Sequence, residues 1–169
     1  MKPSEQIDQD KRREFGGRFV SQDWYRNKMF EVLANQPQEN QTHFLDTYGL
    51  DIGKFYYFTY SARYPNRYPY WDRFPLAQIL KINTQKGTIL GANVHYLNPA
   101  YRGQVAKNWI NSLNSIPEIC LHTYIISGIE GISKVPNNDV EGLSKYIVEL
   151  FVDERGQRVV PNRVWSGNK

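Results

Sequence analysis

This sequence lacks the residues for an internal disulfide and for a membrane span. Its 169 residues include one cysteine, Cys120, and a lone thiol in an apolar run is typical of a protein made in a reducing cytoplasm. The longest apolar-rich stretch, residues 116–132, is interrupted by charged residues and glycines, whereas a bilayer span needs roughly 18 apolar residues. Residues 1–18 are polar and have no apolar segment of the kind found in a signal peptide. We therefore predict a protein with no membrane partner.

Sequence signatures of catalysis are also missing. The three histidines do not form a ligand set with each other or with the cysteine at the spacing of a zinc site. There is no glycine-rich phosphate turn and no Gly-x-Ser-x-Gly pattern, so we predict no enzyme activity, no metal and no cofactor. The nearest approach to a site is His95 with Asn93 and Arg102, which could together bind a phosphate. A hydrolase centred on His95 is the weakest functional hypothesis, because a structural histidine is the commoner outcome.

Acidic residues are scarce in the middle of the chain. Eight basic residues and the single acid Asp72 occur between Ile52 and Trp109, whereas the whole chain has a formal charge of only +4. A basic centre of this kind favours an anionic partner, either a nucleic acid or an acidic protein surface. A solvated basic face without a partner is an equally good interpretation of the count.

Aromatic residues are concentrated in the same region. Tyrosine joins a large apolar ring to a polar hydroxyl, so it collects at surfaces that contact other molecules. Strand alternation places at least half of residues 55–60 in the core, which leaves residues 64–74, the aromatic–basic loop, as the predicted contact surface. This loop could stack on bases, dock on a protein, or only fill a core. The ten aromatic residues between Lys54 and Pro75 are Phe55, Tyr56, Tyr57, Phe58, Tyr60, Tyr64, Tyr68, Tyr70, Trp71 and Phe74.

Periodicity and capping residues predict three helices and five strands. Ser21 caps the first helix, which ends near Ala34, and Asn98 before Pro99 starts the second. The third helix is expected over residues 139–151. Gly87 closes a tight hairpin between the second and third strands. The five strands are predicted over residues 55–60, 76–82, 88–96, 119–126 and 159–165.

These elements predict a single α+β domain over residues 19–165. A flexible arm over residues 1–18 precedes it, and a loose tail over residues 166–169 follows it. A strand, a long loop, a tight hairpin and a helix succeed one another within residues 52–126, which is the element order of a small SH3-like β-barrel. A bent antiparallel sheet with flanking helices is the alternative architecture.

Two motifs in the centre of the chain are distinctive. One is Tyr68-Pro69-Tyr70-Trp71-Asp72-Arg73-Phe74-Pro75-Leu76, and the other is Gly91-Ala92-Asn93-Val94-His95-Tyr96-Leu97-Asn98-Pro99 followed by Arg102. Together with the preceding Tyr57-Phe58-Thr59-Tyr60 and, more weakly, the helix that begins at Ser21, they resemble a family of small proteins from T4-like contractile-tailed bacteriophages and their cyanophage relatives. Members of that family are described as virion or DNA-end-associated proteins. The resemblance implies a role in the phage particle or its assembly, with synthesis in the host cytoplasm, no cofactor and no transferable catalytic residue.

The same motifs also predict local structure. Asp72 can fix the loop by hydrogen bonds from its side chain to the backbone, and Asn93 and His95 can tie the loop to the neighbouring strand. Pro69 and Pro75 lower the entropy that is lost when the loop becomes ordered. The motifs therefore predict the fold of the loop at least as strongly as a binding site.

The leading hypothesis is a non-enzymatic tailed-phage virion component of the baseplate, neck or tail. It would contact other phage structural proteins within a larger symmetric assembly through the aromatic–basic loop. The alternative is a nucleic-acid-binding protein that acts at DNA ends or in packaging, with Lys81 and Lys86 as further contacts. The candidate binding residues are Tyr64, Arg67, Tyr68, Tyr70, Trp71, Arg73, His95 and Arg102.

Overall fold

The α+β class predicted from the sequence is confirmed by a computed structural model that describes residues 1–36, 49–62 and 69–165. Five α-helices and seven strands occur within the described residues. The helices are α1 (Pro3–Phe15), α2 (Gln22–Ala34), α3 (Pro99–Asn111), α4 (Val140–Ser144) and α5 (Pro161–Trp165). The strands are β1 (Phe55–Tyr60), β2 (Trp71–Asp72), β3 (Leu76–Asn83), β4 (Thr88–Asn93), β5 (Leu121–Ile125), β6 (Ile129–Val135) and β7 (Phe151–Val152).

The main sheet is open and does not form the SH3-like barrel. Its strand order is β5-β4-β3-β1-β6, and each neighbouring pair is antiparallel. The barrel prediction was wrong because β6, a strand that the sequence analysis missed, occupies the free edge of β1 and leaves β5 at the opposite edge of the sheet. Bulges in β1 between Tyr57 and Thr59 and in β3 between Ile79 and Lys81 bend the sheet, as the alternative architecture expects.

The aromatic residues of β1 belong to the core. Phe55 and Tyr57 face the helices, where Phe55 stacks on Trp109 with ring centroids 6.4 Å apart. Tyr56 and Phe58 point to the opposite face of the sheet and join a second apolar cluster. All four side chains of residues 55–58 are fully buried. Tyr60 is buried as well, so all five aromatic side chains of β1 belong to the core, whereas strand alternation alone requires only half of this strand to be buried.

Local signals placed α2, α3 and the hairpin correctly. The Ser21 hydroxyl accepts a hydrogen bond from the Trp24 amide, and the Asn98 side chain accepts one from the Ala100 amide, as capping residues do. Gly87 has a φ of 63°, the positive value that this turn requires. None of the described helices is long and apolar enough to cross a bilayer.

The predicted flexible arm is instead a docked helix. Within residues 1–18, α1 spans Pro3–Phe15 and fully buries Ile7 in the main core. The Ser4 amide and hydroxyl both donate to the Asp139 carboxylate, the amide at 2.8 Å. Buried Pro3 and Ile7, the anchor on Asp139 and a hydrogen bond from the Tyr146 hydroxyl to the Ser4 carbonyl at 2.9 Å hold a helix whose sequence has no apolar stripe. The predicted loose tail over residues 166–169 lies outside the described residues.

Elements in the last third of the chain differ from the prediction. The helix expected over residues 139–151 ends at Ser144, because the backbone groups of residues 148–150 bond to the side chains of Arg26 and Asp72 and to the Arg73 amide. The strand expected over residues 159–165 is the helix α5. The strand expected over residues 88–96 ends at Asn93 and continues as a 3₁₀ turn, capped by the Asn93 side chain.

Candidate functional site

A buried carboxylate, Asp72, organises the described end of the aromatic–basic loop. Its Oδ2 lies 2.7 Å from Nδ1 of His95 and accepts a hydrogen bond from Nδ2 of Asn93 at 3.0 Å. Its Oδ1 accepts from the amides of Phe74 and Leu150. These contacts confirm that Asp72 fixes the loop and that Asn93 and His95 tie it to the sheet. Burial raises the pKa of Asp72, but the charge of His95 and these hydrogen bonds outweigh it, so the pKa lies below its ordinary value of 3.8.

A second buried pair clamps the segment that follows α4. Arg102 donates two hydrogen bonds to the carboxylate of Glu149, at 3.2 Å and 2.8 Å. The guanidinium of Arg26, on α2, donates to the carbonyls of Val148 and Glu149 at 2.6 Å and 2.9 Å. The chain over residues 148–150 is therefore held by α2, by α3 and, through Asp72, by β2.

The eight predicted binding residues fall into four groups. His95 and Arg102 are both 0% exposed, so the prediction that they contact a partner is corrected: Nδ1 of His95 bonds to Asp72, and the guanidinium of Arg102 bonds to Glu149. Tyr70 and Trp71 are half-buried, and Tyr70 stacks on Tyr96. Arg73 is exposed. The remaining three, Tyr64, Arg67 and Tyr68, lie outside the described residues.

A large groove lies elsewhere, between the α1–α2 connection and the segment after α4. Its volume is about 1000 Å³, within the size range of ligand-binding clefts. We call it the basic groove, because its described lining includes five basic residues and one acid. The charged lining residues are Lys11, Arg18, Arg26, Lys145, Arg158 and Asp23.

Four of these cations are available to a ligand. Arg26 is buried and bonds to Asp23 at 2.6 Å as well as to the backbone, so this pair neutralises the acid of the groove. Lys11, Arg18, Lys145 and Arg158 form no ion pair with any described carboxylate. The basic groove therefore concentrates uncompensated positive charge in a concave surface, which attracts anions.

Aromatic side chains also line the basic groove. Tyr25 and Tyr146 stack with ring centroids 5.2 Å apart, and Lys11 lies 5.9 Å from the centre of the Tyr25 ring. Burial is the main cause, and the hydrogen bond to Asp8 the second cause, of a raised pKa of Tyr146. The Tyr146 hydroxyl therefore stays protonated. Phe19, in contrast, is 93% exposed and lines the groove without being packed. Cations beside rings are the combination that nucleic-acid surfaces use.

The buried network positions this surface. Lys145, Tyr146 and Ile147 form one wall of the basic groove, and the three following residues are those clamped by Arg26, Arg102 and Asp72. The irregular wall is thereby attached to the rigid core on its C-terminal side. The sequence did not predict the groove, because its unpaired cations come from four separate segments of the chain. The one local signal was the pair of glycines before Arg18, which marks the connection between two segments.

Little in the described residues points to a metal centre or a reactive thiol. No group of three or more His, Cys, Asp or Glu side chains among them is placed to hold a metal ion. Cys120 is buried, and burial raises the pKa of its thiol to about 12. His122 is half-buried and bonds to the Ile119 carbonyl, and burial lowers its pKa.

A protein-family comparison places most of the chain among bacteriophage proteins. The family model of the phage T4 terminal DNA protecting protein matches residues 20–140. The match covers more than half of the chain, so the chain belongs to this family and the resemblance to T4-like phage proteins is confirmed. It includes α2 and the buried network around Asp72, whereas Lys11, Arg18, Lys145 and Arg158 lie outside it. No curated protein and no solved structure matches the chain significantly.

Proposed function

We propose that this protein binds the ends of phage DNA and shields them, and that the basic groove is its contact surface. The observation that carries the proposal is the family match over residues 20–140. It supports the alternative of the sequence analysis, a DNA-end protein, better than the leading hypothesis of a baseplate, neck or tail component.

The groove offers the contacts that such a protein needs. Duplex DNA carries one phosphate about every 3.4 Å along each strand, and each phosphate neutralised by a lysine or arginine releases condensed counterions. Lys11, Arg18, Lys145 and Arg158 line one concave surface without bound carboxylates. The only described acid of the groove, Asp23, is already bonded to Arg26. The groove therefore attracts the phosphate backbone, and no unpaired carboxylate of its described lining repels it.

The role is non-enzymatic in this proposal. Among the described residues, the histidine–carboxylate pair of His95 and Asp72 is enclosed by the core, since the two residues are 0% and 2% exposed. All four described contacts of Asp72 are internal hydrogen bonds that hold the loop. Protection then follows from occupancy of the DNA end, without any change to the DNA. A protein that remains on packaged ends would be a virion component and would meet structural proteins of the particle there.

The test is a nuclease assay with two cleavage modes on one linear duplex. An exonuclease that digests from ends and a restriction enzyme with one internal site are added separately, after incubation with the purified protein. We expect protection from the exonuclease at about one or a few protein molecules per end, with internal cleavage unaffected. Unchanged digestion from the ends would contradict the proposal, and equal protection of ends and interior would show coating of the duplex instead of end binding.

A further inference from the structure

Phe19 is the most exposed large apolar side chain among the described residues, at 93%. Its neighbours hold it in that position. Arg18 donates from Nε to the Phe15 carbonyl at 3.2 Å, and Val20 is buried on the other side. Ser21 then caps α2. The ring is therefore displayed from a connection that is anchored at both ends.

The surroundings of Phe19 distinguish it from other exposed apolar residues. Tyr101 is also exposed, but it does not line the basic groove, whereas Phe19 does. An exposed ring costs solvation free energy that burial against a ligand would recover. Beside cations that attract phosphates, the ligand surface that suits such a ring is the flat face of a base.

A duplex end has one feature that its interior lacks, which is the uncovered face of the terminal base pair. Phosphate contacts are the same along the whole duplex and carry no information about ends. The four groove cations can therefore supply affinity, but they cannot select an end. An aromatic ring that stacks on the terminal pair can, because interior pairs are covered by their neighbours on both faces.

We propose that Phe19 stacks on the terminal base pair and gives the basic groove its preference for open DNA ends. This inference rests on the proposed function, since it assumes that the groove binds DNA. Arg18, next in the chain and exposed, would meet the terminal phosphates while the ring covers the base.

The test compares one duplex in two forms, with open blunt ends and with both ends closed by hairpin loops. Fluorescence anisotropy gives the affinity of the unaltered protein, Phe19→Ala, Phe19→Leu and Phe19→Trp for each form. Tyr101→Ala removes an exposed ring outside the groove and is the matched control. Because Phe19 makes few contacts, all variants should keep the thermal stability of the unaltered chain.

We expect the unaltered protein, Phe19→Trp and Tyr101→Ala to prefer open ends. In Phe19→Ala and Phe19→Leu, the ratio of the affinity for the open duplex to that for the closed duplex should fall about tenfold, while the affinity for the closed duplex stays the same. If Phe19→Ala kept the full preference for open ends, the stacking inference would be overturned and the proposed function would stand. The exposed ring would then be interpreted as a contact for a protein partner. Equal loss on both forms would also overturn the stacking inference. Failure of the unaltered protein to bind either form would overturn the proposed function together with the inference.

Discussion

Arg102 and Glu149 form a two-point ion pair in which both side chains are completely buried. The guanidinium also donates to the carbonyls of His95 and Leu97, so the pair satisfies backbone groups of the 3₁₀ turn after β4. It joins α3 to the segment that continues the wall of the basic groove. The pair thus connects the motif that ends at Arg102 to the surface proposed to bind DNA.

Removing both partners of this pair should cost less stability than the sum of the two separate removals. Arg102→Met or Glu149→Leu leaves an uncompensated buried charge and should each lower the free energy of unfolding by about 3–5 kcal/mol. The double variant should lose clearly less than the sum of the two single losses, because it leaves no unpaired buried charge, although the carbonyls of His95 and Leu97 still lose their donor. Urea unfolding of the four proteins measures the coupling. Lys107→Ala, which breaks an exposed pair with Glu141 at 3.9 Å, should cost at most about 1 kcal/mol. Additive losses at Arg102 and Glu149 would contradict this account of the pair.

Asp72 should make stability depend on acid pH. Its pKa is lower in the folded protein than the ordinary value of 3.8, so its stabilising contribution is fully present above that value and is lost as the pH falls through the folded pKa. Asp72→Asn should therefore be less stable at neutral pH by about 3–5 kcal/mol, and the difference should narrow below about pH 4. Denaturant unfolding at several pH values measures this. The exposed Glu130→Gln is the control, and a pH-independent difference for Asp72→Asn would refute the prediction.

Helix α1 should be as well protected as the helices of the core. Ile7→Ala removes a fully buried side chain and should cost about 2–5 kcal/mol, with faster hydrogen exchange over residues 3–15. Gln9→Ala, at an exposed position of the same helix, should change neither quantity. If residues 1–18 were a flexible arm, exchange there would be fast in every variant and Ile7→Ala would be silent.

Local signals in the sequence carried most of the correct predictions. Ser21, Asn98 and Gly87 act within a few residues of themselves, so caps and turns could be placed without the fold. The tie between Asp72 and the pair Asn93 and His95 was also predictable, because all three lie in distinctive motifs and need hydrogen-bond partners when buried.

Predictions that depended on distant partners failed. Arg102 was expected at the surface because its partner Glu149 is 47 residues away, and nothing near it in sequence neutralises its charge. Residues 1–18 were expected to be a flexible arm because the anchor of α1, Asp139, is 135 residues from Ser4. The basic groove combines the α1–α2 connection with residues beyond α4, which are distant in sequence. The basic centre of the sequence predicted a different surface, because its Lys81 and Lys86 are exposed on the β3–β4 hairpin.

The most direct test of the basic groove is the salt dependence of DNA binding in two charge-matched double variants. Lys145→Gln with Arg158→Gln removes two groove cations, and Lys81→Gln with Lys86→Gln removes two exposed cations outside the groove. Both lower the net charge equally, so a difference between them reports position. For a linear duplex, the account predicts that the variant without Lys145 and Arg158 binds more weakly than the unaltered protein. The slope of log K against log salt concentration should be smaller in magnitude by about 2 for this variant. The variant without Lys81 and Lys86 should resemble the unaltered protein. The account would be contradicted if the Lys81 and Lys86 variant lost DNA affinity while the Lys145 and Arg158 variant bound like the unaltered protein.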